Sequence, residues 1–174
     1  ECPVNTYSAE SGLSSECSVC PQHSQSQRRS VSIYNCQCIT GYTGEDGGSC
    51  SACLPGSYKG TIGSGGCTLC ADGKYSEQYN ANIESVCELC KQFSNSAAGS
   101  TQSDNCLCNK GYYLGEGSDT GECTACPPGT YKTVNGSSEC LKCPVNTYSS
   151  HEASTTANTC EQCPSDSISG QGSD

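Results

Sequence analysis

The residues able to do chemistry in this chain are its cysteines, which fill 19 of 174 positions. They stand mostly in pairs: seven Cys-x-x-Cys from Cys17/Cys20 to Cys160/Cys163, plus Cys36-Gln37-Cys38 and Cys106-Leu107-Cys108. Paired thiols can ligate zinc, exchange electrons as a dithiol, or cross-link the chain. Cys123-x-x-Cys126 with Cys140-x-x-Cys143 has the spacing of a zinc ribbon. Against zinc, the Cys-x-Cys elements are not ribbon ligands, and four-ligand sites cannot account for all the cysteines. The only histidines are His23 and His151. A thioredoxin-like role needs its motif at the start of a helix in a βαβ setting, and no such setting is legible. Cross-linking is the expected chemistry.

Little else in the sequence could catalyse. His23 and His151 lie in polar loops without a repeated Ser or Asp partner, and nucleophilic catalysis needs a base held beside its nucleophile. No catalytic residue, metal ligand or cofactor-binding residue is expected, and the chain reads as not an enzyme.

Composition says what the cysteines must replace. With one Phe, no Trp and no Met, and no run of apolar residues, the chain has the length for one core but not the side chains to fill it. A bridge closing a loop of about 15 residues contributes roughly 3 kcal/mol in the chain-entropy model, so a series of bridges can substitute for a core. Bridges persist in oxidising compartments, which predicts an extracellular or cell-surface location. The net charge of −10 argues against nucleic acid and anionic membrane surfaces, which need basic patches. Arg28-Arg29 is the only such pairing. No run of 18 apolar residues exists, so no membrane insertion is expected in this segment. A chain with no Met, a cysteine at its second position and no secretory leader reads as a piece of a longer exported protein.

The elements that position these cysteines repeat. Cys36 and Cys38 recur 70 positions on, at Cys106 and Cys108; Cys50, Cys53, Cys67 and Cys70 recur 73 positions on, at Cys123, Cys126, Cys140 and Cys143. A period of this kind marks a repeat architecture. It divides the chain into a partial cysteine-rich repeat at 1–52, a complete one at 53–125 and a partial one at 126–174. One phrase follows a cysteine in each: Cys2-Pro-Val-Asn-Thr-Tyr-Ser, Cys53-Leu-Pro-Gly-Ser-Tyr-Lys, Cys70-Ala-Asp-Gly-Lys-Tyr-Ser, Cys126-Pro-Pro-Gly-Thr-Tyr-Lys and Cys143-Pro-Val-Asn-Thr-Tyr-Ser. Its third position is Asn5, Gly56, Gly73, Gly129 or Asn146, residues that accept positive φ. The phrase predicts a tight turn that lays Tyr7, Tyr58, Tyr75, Tyr131 and Tyr148 against neighbouring bridges as a miniature core. Serines phased at 24/26, 94/96 and 167/169 lead to Cys-x-Cys and Gly-Tyr. The fold class expected is small and disulfide-rich, with short β-hairpins near 36–50 and 106–123 and almost no helix.

Cys126-Pro-Pro-Gly-Thr-Tyr-Lys, Cys140-x-x-Cys143, a Ser-rich loop and Cys-x-Cys-x-x-Gly-Tyr together resemble the cysteine-rich, EGF-like module of ephrin receptor ectodomains. They are similar to the tandem ephrin-receptor-like repeats of large protist and algal surface or filament proteins, and more loosely to tumour-necrosis-factor-receptor modules. The resemblance covers the whole chain and implies tandem EGF-like modules in an elongated rod outside the cell. It carries no implication of kinase signalling. By the pairing of EGF-like modules it implies Cys2–Cys20, Cys17–Cys36, Cys38–Cys50, Cys70–Cys90, Cys87–Cys106, Cys108–Cys123, Cys126–Cys140 and Cys143–Cys163. Cys53–Cys67 would close its own loop, and Cys160 would pair beyond Asp174. A nearest-neighbour scheme, Cys2–Cys17, Cys20–Cys36 and onward, stays open and strands Cys163 instead. The schemes share Cys38–Cys50, Cys53–Cys67, Cys108–Cys123 and Cys126–Cys140.

The acidic loops at Glu45-Asp46 and Glu116 to Asp119 lack the Asp-x-Asn-Glu that precedes calcium-binding EGF modules, and read as solvated. Asn135-Gly136-Ser137 is an N-glycosylation sequon; Asn158-Thr159-Cys160 is the rare cysteine variant and is expected unused. Ser and Thr in the loops at 24–32, 94–103 and 149–156 would suit O-glycans. Near-identical units with no unique site predict a structural extracellular repeat protein, a segment of a glycosylated rod or filament such as an algal flagellar hair. Its expected partners are copies of itself, neighbouring repeats and glycans. The alternative is a receptor or adhesin stalk that binds a protein ligand.

Overall fold

The computed structural model describes residues 1–10, 16–115 and 121–174. Among them there is no α-helix; the regular structure is nine two-stranded sheets and four three-residue 3-10 turns, Ile33–Asn35, Glu84–Val86, Ser103–Asn105 and Ala157–Thr159. Hairpins are antiparallel, as in Thr6↔Val19, Ser24↔Cys38, Tyr42↔Ala52, Ser57↔Leu69 and Thr130↔Lys142. They occur at each of the nine steps from Cys2 to Cys143, more widely than the two regions expected.

One turn generates each hairpin. The residue three places after Cys2, Cys20, Cys38, Cys53, Cys70, Cys90, Cys108, Cys126, Cys143 and Cys163 has positive φ every time: Asn5, His23, Gly41, Gly56, Gly73, Phe93, Gly111, Gly129, Asn146 and Asp166. That is the requirement of a type II turn at its third residue. The turn closes with the next N–H donating to the first carbonyl, as from Ser57 to Leu54 O at 3.2 Å and Ser24 to Pro21 O at 3.1 Å. A hydroxyl often adds a second bond to that carbonyl: Thr6 to Pro3 O, Ser24 to Pro21 O, Ser94 to Lys91 O, Thr147 to Pro144 O. This local capping is why Ser and Thr are phased to the cysteines.

Steps are joined by main-chain bonds in constant register. The turn N–H donates to the step that follows: Asn5 to Ser26 O, Gly41 to Lys59 O, Gly56 to Ser76 O, Gly111 to Lys132 O and Gly129 to Ser149 O, at 2.6–3.0 Å. The carbonyl of the turn's cysteine accepts from another left-handed residue, as in Arg29 N to Cys2 O, Asn80 N to Cys53 O, Gly99 N to Cys70 O and Gly172 N to Cys143 O. Glycine is demanded where backbones meet. A Cβ on Gly56 would lie 2.2 Å from Gly99 O, and one on Gly129 would lie 2.3 Å from Gly172 O. The chain forms two compact units, residues 1–88 with 97–103 and residues 89–96 with 104–174; the division falls inside the repeat at 53–125.

Nine bridges form: Cys2–Cys17, Cys20–Cys36, Cys38–Cys50, Cys53–Cys67, Cys70–Cys87, Cys90–Cys106, Cys108–Cys123, Cys126–Cys140 and Cys143–Cys160. This corrects the crossed pairing that the EGF resemblance implied. Cys2–Cys20, Cys17–Cys36, Cys70–Cys90, Cys87–Cys106 and Cys143–Cys163 are not formed. Cys160 is bonded to Cys143, and Cys163 is the cysteine without a bridge. The reason lies in the hairpins: each loop folds back on itself, as at Thr6↔Val19, and returns the cysteine that ends it to the one that opens it. Cys17 thus meets Cys2 at a Cα separation of 5.6 Å, within the range a bridge needs.

The core consists of these bridges and little else. Cys36, Cys38, Cys53, Cys70, Cys126 and Cys143 are essentially inaccessible, and Ala81 is the only other apolar side chain among the buried set. The tyrosines of the repeated phrase are half-buried strand residues rather than the centre of a core. The buried position is the one after them: Lys59, Ser76, Lys132 and Ser149.

Candidate functional site

Two of those buried positions carry ammonium groups. Lys59 is 3% exposed and Lys132 is 2% exposed. Lys59 Nζ donates to Tyr42 O at 2.8 Å and to Gly63 O at 2.5 Å. Lys132 Nζ donates to Tyr112 O at 2.7 Å and to Gly136 O. Each lysine gathers the carbonyls of a Gly-Tyr turn and of the loop that follows the lysine itself. Burial lowers both pKa values, and Asp46 pushes that of Lys59 partly back up. Asp46 Oδ2 accepts from Gln37 Nε2 at 3.3 Å, while its buried Oδ1 has no partner. Here the acidic loop does internal electrostatic work. Its counterpart at Glu116 to Asp119 lies outside the described residues.

His23 occupies a left-handed turn position and stacks on Tyr42, ring centroids 4.1 Å apart; Phe93 stacks the same way on Tyr112 at 4.3 Å. His23 is therefore a packing residue. His151 donates its main-chain N–H to Ser149 Oγ. Among the described residues no group of three or more His, Cys, Asp or Glu could hold a metal ion, and no helix is long and apolar enough to cross a membrane. Arg29 makes an exposed ion pair with Glu1 at 3.1 Å.

The phased serines are structural. Ser26, Ser30, Ser96, Ser149 and Ser154 are buried. Ser26 Oγ donates to Thr6 O, Ser30 Oγ to Gln27 O and Ser154 Oγ to His151 O. O-glycans at these five positions are thereby disfavoured within the loops where they were expected. Asn135 is different: exposed, on the loop that Lys132 fastens, with its Oδ1 accepting from Lys110 N at 3.1 Å. Asn158 sits in a 3-10 turn whose next cysteine, Cys160, is consumed by a bridge.

Sequence reasoning missed three things. Lys59 and Lys132 were given no role, although only Ser or Lys follows the phrase's tyrosine. His23, Phe93 and Asp166 take positive φ without being Gly or Asn, and cysteine register alone marked them. Exposed apolar side chains recur inside Cys-x-x-Cys, at Val19, Leu69, Leu89 and Leu141.

No curated protein matches the sequence significantly. Residues 111–160 match the family model described as tyrosine-protein kinase ephrin type A/B receptor-like, a receptor-type repeat without catalytic machinery. The match begins at the Gly111 turn and ends at Cys160, taking in the Lys132 clamp and the bridges Cys126–Cys140 and Cys143–Cys160. This match at 111–160, together with nine bridges in the same tandem pattern, supports cysteine-rich, ephrin-receptor-like repeats.

Proposed function

We propose that this chain is a structural segment of an extracellular or cell-surface protein, a glycosylated rod or filament whose units are held by disulfides. The observation that carries this reading is uniformity. The same turn, the same inter-step bonds and the same bridge recur along each unit. Bridges at this density belong to an oxidising compartment. Stability then accumulates step by step, as an extended extracellular part under tension requires. The partners are further repeats or copies of the same chain. The non-enzymatic reading rests on the match to a receptor-type repeat without catalytic machinery.

A receptor or adhesin stalk is the second reading, favoured by the receptor-type family match. Negative-stain electron microscopy with sedimentation analysis of the purified chain separates the two. Ordered fibres or concentration-dependent polymers support the filament. A chain that stays monodisperse at all concentrations refutes self-assembly and leaves the stalk.

A further inference from the structure

The geometry points to Asn135 as an N-glycosylation site, the acceptor for a lipid-pyrophosphate-linked oligosaccharide; this rests on the extracellular reading above. The sequon Asn135-Gly136-Ser137 stands on the loop after Lys132, where Asn135 and Ser137 are both exposed. The loop is framed from beneath. Gly136 N donates to Cys108 O at 2.8 Å, and Lys132 Nζ donates to Gly136 O. Asn135 Oδ1 accepts from Lys110 N, which turns that oxygen inward and leaves Nδ2, the atom that must react, as the free end of the amide. A Cβ built on Gly136, at φ +136, meets nothing within 4 Å, so the space beside the acceptor is open. In the reaction the amide nitrogen bonds to the anomeric carbon of the sugar. The bond from that carbon to the pyrophosphate oxygen breaks, the lipid pyrophosphate leaves, and the amide gives up one proton to base.

The other repeat supplies an internal comparison. Its loop is framed identically, by Gly63 N donating to Cys38 O at 2.9 Å and Lys59 Nζ donating to Gly63 O, with Gly63 at φ +117. There the sequence is Ile62-Gly63-Ser64, and Ile62 is half exposed. One framed loop thus has the acceptor amide and its twin has none; there a Cβ built on Gly63 would have Gln37 Nε2 at 3.7 Å.

The test directs the full chain into the secretory pathway of a eukaryotic cell and measures intact mass before and after peptide N-glycosidase, with site mapping. Wild type should carry one N-glycan, on Asn135. Ser137→Ala should lose it while keeping the Asn135–Lys110 bond and an unchanged melting temperature. Ile62→Asn should gain a second glycan, at position 62. A secreted, fully oxidised chain with bare Asn135 overturns the site alone. A chain retained with reduced cysteines overturns the extracellular reading as well. Failure of Ile62→Asn to gain sugar refutes the argument from the loop frame.

Discussion

Replacing Lys59 by Met keeps most of the aliphatic stem and removes the ammonium that ties Tyr42 O to Gly63 O. A hydrogen bond to a charged donor contributes about 1.5–3 kcal/mol, and a buried carbonyl left without a partner costs about 1–3 kcal/mol. Burying the ammonium offsets part of this, which is why its pKa is lowered. The balance is a loss of about 2–4 kcal/mol, confined to the loop because the Cys53–Cys67 bridge still closes it. Amide exchange at Gly63, whose N–H donates to Cys38 O at 2.9 Å, reads the loss directly. A 2 kcal/mol change corresponds to roughly 30-fold faster exchange. Lys132→Met should do the same at Gly136. Lys74→Met is the control: its 3.3 Å pair with Glu84 is largely exposed on the glutamate side, and such pairs contribute about 0–1 kcal/mol. Unchanged or slower exchange at Gly63 in Lys59→Met would refute the clamp. It would mean that desolvation of the ammonium outweighs its two bonds, as happens for some buried ion pairs.

Other expectations follow from the same geometry. Reduction should abolish the thermal transition while EDTA leaves it unchanged, since bridges at roughly 3 kcal/mol each dominate; a collapse on chelation alone would overturn this. Non-reducing peptide mapping should find Cys17 with Cys2 and Cys87 with Cys70, and peptides linking Cys17 to Cys36 would restore crossed pairing. Gly56→Ala should cost about 1–3 kcal/mol or prevent folding, because positive φ and the nearby Gly99 O both reject a Cβ; Gly66→Ala, with nothing in reach, should melt like wild type. Alkaline titration should show opposed slopes. Tyr75 donates to Glu88, which raises its pKa, so its contribution is present below the ordinary tyrosine pKa and lost as pH rises through the raised one. The lowered lysines act oppositely: the unfolded chain holds more protons between their lowered pKa and the ordinary lysine value, so stability rises with pH there. Tyr75→Phe should remove the first slope and Lys59→Met reduce the second, by denaturant titration from neutral to alkaline pH.

Much of the fold was legible because cysteine spacing and turn residues are local signals. Asn5, Gly56, Gly73, Gly129 and Asn146 announced left-handed turns, and all five adopt them. His23, Phe93 and Asp166 were not legible from residue type, because their conformation is imposed by bridges and inter-step bonds rather than by intrinsic preference. Pairing was misjudged for the same reason. Family likeness carried the crossed scheme, whereas the loop folds back on itself and brings Cys17 to Cys2. The buried Lys59 and Lys132 escaped because a lysine is ordinarily solvated; what holds them is a pair of carbonyls, which no side-chain pattern displays.

Because no bridge crosses another, the covalent path through the oxidised chain is a single file of short-circuits. A pull on its ends runs through each sulfur pair and then through only two or three residues before the next. Between Cys2 and Cys163 that path reaches about 140 Å at full stretch, roughly a quarter of the reach of the same residues reduced. Loss of all hydrogen bonds could not lengthen it further. Each loop of 12 to 17 residues is slack held in reserve, paid out only when its own sulfur pair is cut, about 35–50 Å at a time. The molecule is thus a tether with a fixed stop, and the redox state of its surroundings sets where the stop lies.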